Sequence, residues 1–126
     1  MAHPDRYFKT NPEFFGFSKL TGKREPETLC LTNPELLEVA VGNLKKRIRA
    51  FKEKPDLFTI GFRDSWTMCQ CEKCLAPIPL SGGGTLIRKS DNPQEDPLYF
   101  STRYWLFVNQ IVERLKQDFP ETMFAG

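Results

Sequence analysis

Three cysteines fall within one short stretch, Cys69-Gln70-Cys71-Glu72-Lys73-Cys74, and the chain has one other, Cys30. Thiolates are soft ligands, and C-x-C-x-x-C spacing lets several sulfurs from one loop converge. A fourth sulfur from a distant segment then completes a tetrahedral shell. Cys30, Cys69, Cys71 and Cys74 are therefore expected to bind Zn2+ in a closed site that serves structure and not reaction. Two other fates stay open for the same thiols: one or two disulfides, as in a secreted protein, or buried free thiols. A redox-active pair fits poorly, because the spacing is not a lone C-x-x-C opening a helix.

The next chemistry-bearing group is Asp64, which follows a strand-like run with Arg63 beside it. A carboxylate at a strand end can act as general acid or base or orient a sugar hydroxyl, and Arg63 can pair with it or shift its pKa. The plainer role is a turn-forming Asp bonded to the amides of Ser65 or Trp66. Glycoside hydrolysis commonly needs two carboxylates, and the sequence names no second, since Glu72 sits inside the cysteine loop. Trp66 and Tyr99 flank the same loop. Trp66 in particular can stack on a sugar ring, although core packing under a long loop explains both aromatics equally well. His3, the single histidine, is expected to be a disordered terminal residue, so no Ser-His-Asp constellation is available. Ser81-Gly82-Gly83-Gly84 lacks the Lys-Ser/Thr of a phosphate loop and is expected to be flexible.

These residues need a frame to position them. Residues 1–27 read as short helical turns and loop, with a turn at Thr21-Gly22-Lys23. A short strand spans Thr28 to Thr32. Asn33-Pro34-Glu35 then starts a helix, with Asn33 as cap and Pro34 in the first turn. Leu37, Ala40, Val41, Leu44, Ile48 and Phe51 form its apolar stripe. Leu57 to Phe62 is β-branched and aromatic, a buried strand. The loop 63–97 follows, long enough to be functional or disordered. Asp96-Pro97 starts a second helix with the stripe Tyr104, Val108, Ile111, Val112, Leu115 and Phe119. Pro120 stops it, and Thr122 to Ala125 begins a third strand. Strand, helix, strand, helix, strand points to an α/β fold with parallel strands and right-handed crossovers. At 126 residues, the chain is short of a complete (β/α)8 barrel, which needs about 250. A partial (β/α)8 TIM-barrel-like fragment is the expected fold, and a small self-contained three-stranded α/β domain is the alternative.

Composition narrows the function. Net charge is +2, too close to balance to argue for a polyanion. The basic cluster Lys45-Lys46-Arg47 with Arg49 lies on a helix and reads as a solvated face, so nucleic acid is not an expected partner. No apolar run approaches membrane-spanning length. Met1-Ala-His-Pro is no secretory signal, which leaves the compartment of a longer parent protein open, secreted and periplasmic included.

Asn11-Pro12-Glu13-Phe14-Phe15, Gly22-Lys23-Arg24, Leu29-Cys30-Leu31-Thr32-Asn33-Pro34-Glu35, a strand closing on Asp64, and Cys69-x-Cys71-x-x-Cys74 together resemble a bacterial family, domain of unknown function 4838. The stretch Arg103 to Pro120 also matches, so the resemblance covers nearly the whole chain. It implies a glycoside-hydrolase-like (β/α)8 barrel within a polysaccharide-related protein, of which this chain is an internal third or half. Arg63-Asp64-Ser65 stands where the family usually shows Asn-Asp-Gly, so the acid is kept and its neighbours differ. The β-galactosidases of glycoside hydrolase family 42 offer a distant analogy for the cysteines, with a structural zinc on C-x-C-x-x-C plus one upstream cysteine.

The resulting expectation is a carbohydrate-binding or carbohydrate-cleaving barrel completed by the remainder of a parent chain. Asp64 is its catalytic candidate, and Arg63 and Trp66 face the substrate. Alone, half a barrel offers half a site and is expected to be inactive. The rival expectation is a small zinc-stabilised module that contacts a protein or nucleic acid through its cysteine loop.

Overall fold

Two amphipathic helices dominate the interior of the chain, whose computed structural model describes residues 1–61 and 67–126. Helix α2 spans Pro34–Arg49, with Asn33 as its cap: the Asn33 Oδ1 accepts from the Glu35 and Leu36 amides at 2.9 and 3.1 Å. Its buried stripe includes Leu37, Ala40, Val41, Leu44 and Ile48, with Leu36 added. Phe51 lies beyond the helix end and is exposed, because the chain turns away after Ala50; its ring meets Phe58 edge-on. Helix α4 spans Pro97–Asp118 and lays Phe107, Ile111 and Leu115 against α2 and the strands, with Val108 also buried. Tyr104 and Val112 are only half-buried. Burying these stripes against one another supplies the main apolar driving force.

Ahead of α2 the chain forms the short helix α1 (Pro4–Tyr7), a 3-10 turn at Pro12–Phe14, and a hairpin. Strand β1 (Phe15–Ser18) pairs antiparallel with β2 (Lys23–Leu29), with Gly22 at φ 68° in the turn. This differs from the helical and loop reading of residues 1–27. Strand β1 is only four residues long with Gly16 inside it, and β2 is mostly polar with Pro26 inside it, so periodicity gives them little weight. The expected strand at Thr28 to Thr32 ends at Leu29, and Cys30 starts the turn into α2, with the Asn33 amide donating to the Cys30 carbonyl at 3.1 Å.

Strand β3 (Leu57–Thr59) pairs in parallel with β6 (Met123–Ala125), and α4 lies on the connection between them. Amide bonds from Ile60 to the Ala125 carbonyl and from Met123 to the Asp56 carbonyl extend that ladder at both ends. Strand β2 belongs to the hairpin sheet and not to this pair. The loop between β3 and α4 carries its own elements: helix α3 (Glu72–Leu75) and the two-residue strands β4 (Ile78–Pro79) and β5 (Thr85–Leu86). The glycine stretch forms the turn between them, with Gly83 and Gly84 at φ 93° and 79°, a backbone region glycine enters without strain.

The basic cluster on α2 is engaged within the chain. Lys45 and Arg49 both meet Asp118 at 2.9 Å, and Arg47 lies 5.8 Å over the Phe58 ring. Among the described residues no helix is long and apolar enough to cross a membrane.

Asn33 does two jobs, since its Nδ2 also donates to the Glu13 carbonyl at 3.0 Å. Replacing it by alanine removes a helix cap and a tie to the 3-10 turn. Asn33→Ala is expected to cost about 1–2 kcal/mol, read as a lower urea midpoint with an unchanged slope.

Candidate metal centre

Three parts of the chain place the four cysteines. Cys30 ends the hairpin, and its amide donates to the Phe14 carbonyl at 2.9 Å. Cys69 runs alongside β1, where the Phe17 amide donates to Cys69 Sγ at 3.3 Å and the Gln70 amide returns a bond to the Phe17 carbonyl at 2.8 Å. Cys71 caps α3, its Sγ accepting from the Cys74 amide at 3.4 Å, and Cys74 lies within that turn of helix.

The four sulfurs lie within 4.8 Å of one another and could together hold a metal ion. Cys30 Sγ is 3.8 Å from Cys71 Sγ and 3.9 Å from Cys74 Sγ. A tetrahedron with zinc–sulfur arms of about 2.3 Å has edges of about 3.8 Å. A disulfide brings its sulfurs to about 2.05 Å, and no cysteine is so paired. Cys30, Cys69 and Cys74 are buried and Cys71 is half-buried.

A second layer of donors surrounds the sulfurs. Thr32 Oγ1 is 3.2 Å from Cys74 Sγ and 3.7 Å from Cys30 Sγ. Arg24 Nη1 donates to the Phe15 carbonyl at 2.9 Å and reaches Cys69 Sγ at 3.7 Å. Such donors disperse negative charge on bound thiolates and orient them. The electrostatics carry the same message. Hydrogen bonding from Cys69, then from Cys74, pulls the Cys30 thiol far below the usual thiol range against its burial. Cys69 is pushed up to about 12, chiefly by Cys30. Cys74 is pushed up by Cys30 first, then Cys69, with burial adding to both. Burial works to lower the Arg24 pKa, but the thiol cluster, Cys30 foremost, outweighs it and raises it. The cluster thus tolerates one thiolate and resists the next until a cation joins it.

Helix α4 holds the other side. The Tyr99 hydroxyl, fully buried, donates to the Cys74 carbonyl at 2.8 Å and also meets the Ala76 carbonyl. Arg103 Nη2 donates to Ala76 at 2.8 Å, and Arg88 Nε to the Leu75 carbonyl at 3.2 Å. Tyr99 is therefore a packing residue beneath the cysteine loop. Sequence reasoning missed Arg24, Thr32 and Arg103, because nothing in their spacing marks them as neighbours of the thiols.

The other expected site residues stand differently. Arg63, Asp64 and Trp66 lie outside the described residues. His3, expected to be disordered, occupies the N-cap position of α1, where its carbonyl accepts from the Arg6 and Tyr7 amides at 3.1 Å. His3 lines a cleft of about 780 Å³ that also touches β2, the start of α4, and Gly61 and Thr67.

Over residues 1–125 the chain matches the family described as Domain of unknown function (DUF4838), and it belongs to that family. No curated protein and no solved structure matches it.

Tyr99→Phe keeps the ring and removes the donor to two carbonyls of the cysteine loop. Expected are a loss of about 1–2 kcal/mol and faster amide hydrogen exchange confined to residues 71–76. Unchanged exchange there would mean that α4 does not hold the loop.

Proposed function

We propose that the four thiolates bind one zinc ion as a closed structural site, and that the domain is part of a glycoside-hydrolase-like (β/α)8 barrel that binds or cleaves carbohydrate. The observation that carries the metal half is four sulfurs within 4.8 Å of one another, Cys30 standing 3.8 and 3.9 Å from Cys71 and Cys74, close to the edge expected for tetrahedral zinc thiolate. With all four positions filled by sulfur there is no open place for water or substrate, so the metal supplies stability and not Lewis-acid chemistry. Cys30, Cys69, Cys71 and Cys74 would hold it, with the Phe17 and Cys74 amides, Thr32 and Arg24 around them.

The carbohydrate half is supported by three observations. The resemblance points to that class. A parallel strand pair, β3 and β6, with a helix on the connection is the repeating unit of such barrels. A cleft sits at the C-terminal end of β3, the face on which barrels of this kind mount their sites. Asp64 is proposed as the acid or base, and Arg63 and Trp66 as sugar-contacting groups. Gly61 and Thr67, the described residues on either side of them, both line the cleft.

Metal analysis of protein purified under reducing conditions tests the first half. About one zinc per chain is expected, with Co2+ substitution giving the charge-transfer absorption of a tetrahedral tetrathiolate. Because protons compete with metal for thiolates, and Cys30 first, with burial adding, holds the Cys69 and Cys74 protons on, zinc affinity should fall as pH falls. Metal-free, fully reduced, folded protein would defeat this half. For the second, Asp64→Asn in the protein carrying the completed barrel should lower glycosidase turnover by at least about 10²; undiminished turnover would remove Asp64 from the chemistry.

A further inference from the structure

We propose that Cys71 is the oxidation site of the cysteine cluster: hydrogen peroxide oxidises it, Cys30 closes a disulfide onto it, and the metal is released. The proposal rests on the zinc reading and adds a modification site and its resolving thiol. Cys30, Cys69 and Cys74 are only 3–4% exposed, whereas Cys71 is half-buried. Of the four, Cys71 also lines a second groove, of about 730 Å³, which runs past β1, β2 and α3. The groove gives an uncharged oxidant a path to that sulfur. Its charges are largely offset among the described lining residues, since Lys19 and Arg88 both pair with Asp91, and Glu72 stands beside Cys71.

The sulfurs also differ in the donors they meet. Cys69 Sγ has the Phe17 amide and Arg24, and Thr32 Oγ1 stands against both Cys74 and Cys30. Cys71 Sγ takes the Cys74 amide, at 3.4 Å. A donor draws charge from a thiolate and weakens it as a nucleophile. Cys71 therefore combines the most accessible sulfur with no charged or hydroxyl donor among its described contacts. In the first step the Cys71 thiolate attacks one peroxide oxygen. An S–O bond forms, the O–O bond breaks, and the departing hydroxide takes a solvent proton to become water. Cys30 Sγ, 3.8 Å away, then attacks the sulfenic sulfur. The S–S bond forms, the S–O bond breaks, and a second water leaves after protonation. The two sulfurs give up two electrons in all, and peroxide accepts them. Cys69 and Cys74 remain as thiols, two ligands where a closed zinc site needs four. The disulfide ties the turn before α2 to the start of α3.

The test adds hydrogen peroxide stepwise to the zinc-loaded chain, following zinc with a chromogenic chelator and the thiols by tryptic mass mapping. Expected are about one zinc released per disulfide formed and, with dimedone present, a sulfenic-acid adduct on Cys71. Without dimedone, tryptic peptides 25–45 and 64–73 should be joined through Cys30 and Cys71. Dithiothreitol with added zinc should restore the metal. Cys71→Ser should release zinc at least about tenfold more slowly under peroxide; if that variant holds no zinc, the adduct on the parental chain decides. A first adduct on Cys30, Cys69 or Cys74 would overturn Cys71 as the site. Peptide 64–73 joined instead to 74–88 would overturn Cys30 as its partner. Zinc retained at about a hundredfold excess of peroxide would overturn the oxidation and leave the zinc reading standing. A reduced, folded chain holding no zinc at the outset would overturn both.

Discussion

The gathering of four sulfurs within 4.8 Å is the constraint on which the rest of the chain depends, because it is costly for thiols alone. Hydrogen bonds from Cys69 and Cys74 let Cys30 lose its proton readily, and those same contacts with Cys30, with burial and then charge repulsion adding to them, make Cys69 and Cys74 hold theirs. A bound dication turns this repulsion into attraction. What the cluster fastens is otherwise weakly held. Helix α3 is one turn long, and β4 and β5 pair over two residues each. Neither is stable unaided. The small apolar cluster of Leu75, Ile78, Tyr99 and Phe100 adds some burial. The thiols on one side and the Tyr99 hydroxyl on the other complete the attachment.

Much of this frame was legible in the sequence. Asn33-Pro34 marked the start of α2, and the stripe from Leu37 to Ile48 marked its buried face, because capping and periodicity are local signals. The cysteine spacing marked a ligand set for the same reason. The hairpin was less legible. Lys23-Arg24-Glu25-Pro26-Glu27 has none of the alternation of a half-buried strand, and its pairing is fixed by contacts with β1 and the cysteine loop. The surroundings of the thiols were not legible at all. Arg24 and Cys69 are far apart in sequence and meet only because the loop lies along β1. Asp96 shows the same limit. It stands at the N-cap of α4 as its sequence position predicts, yet its carboxylate accepts from the Lys89 amide and makes no cap bond.

The hairpin also reconciles two roles that the sequence placed apart. Its β1 strand bonds the cysteine segment through Phe17, while Phe15 two residues earlier lines the cleft. Its β2 strand supplies Glu27 and Thr28 to the cleft, then leads into Cys30. One short antiparallel pair is thus a wall of both sites.

Gly16 shows how tightly that wall is built. A Cβ on it would stand 2.6 Å from Thr28 Cγ2 and 3.4 Å from the Cys69 Cα, so the strand, its partner and the cysteine segment meet where only a hydrogen fits. Thr28 cannot readily yield, because its hydroxyl is bonded to the Thr67 carbonyl at 2.9 Å and lies 2.7 Å from the Thr67 hydroxyl. Thr67 and Met68 line the cleft and run directly into Cys69. A displacement of Cys69 must therefore move the cleft wall or strain these contacts. Two sites that share a close-packed wall are linked in free energy whenever one of them changes the wall's position. In this chain the cysteine cluster and the cleft wall are joined through Thr28, Thr67 and Met68, so a shift at one strains the other.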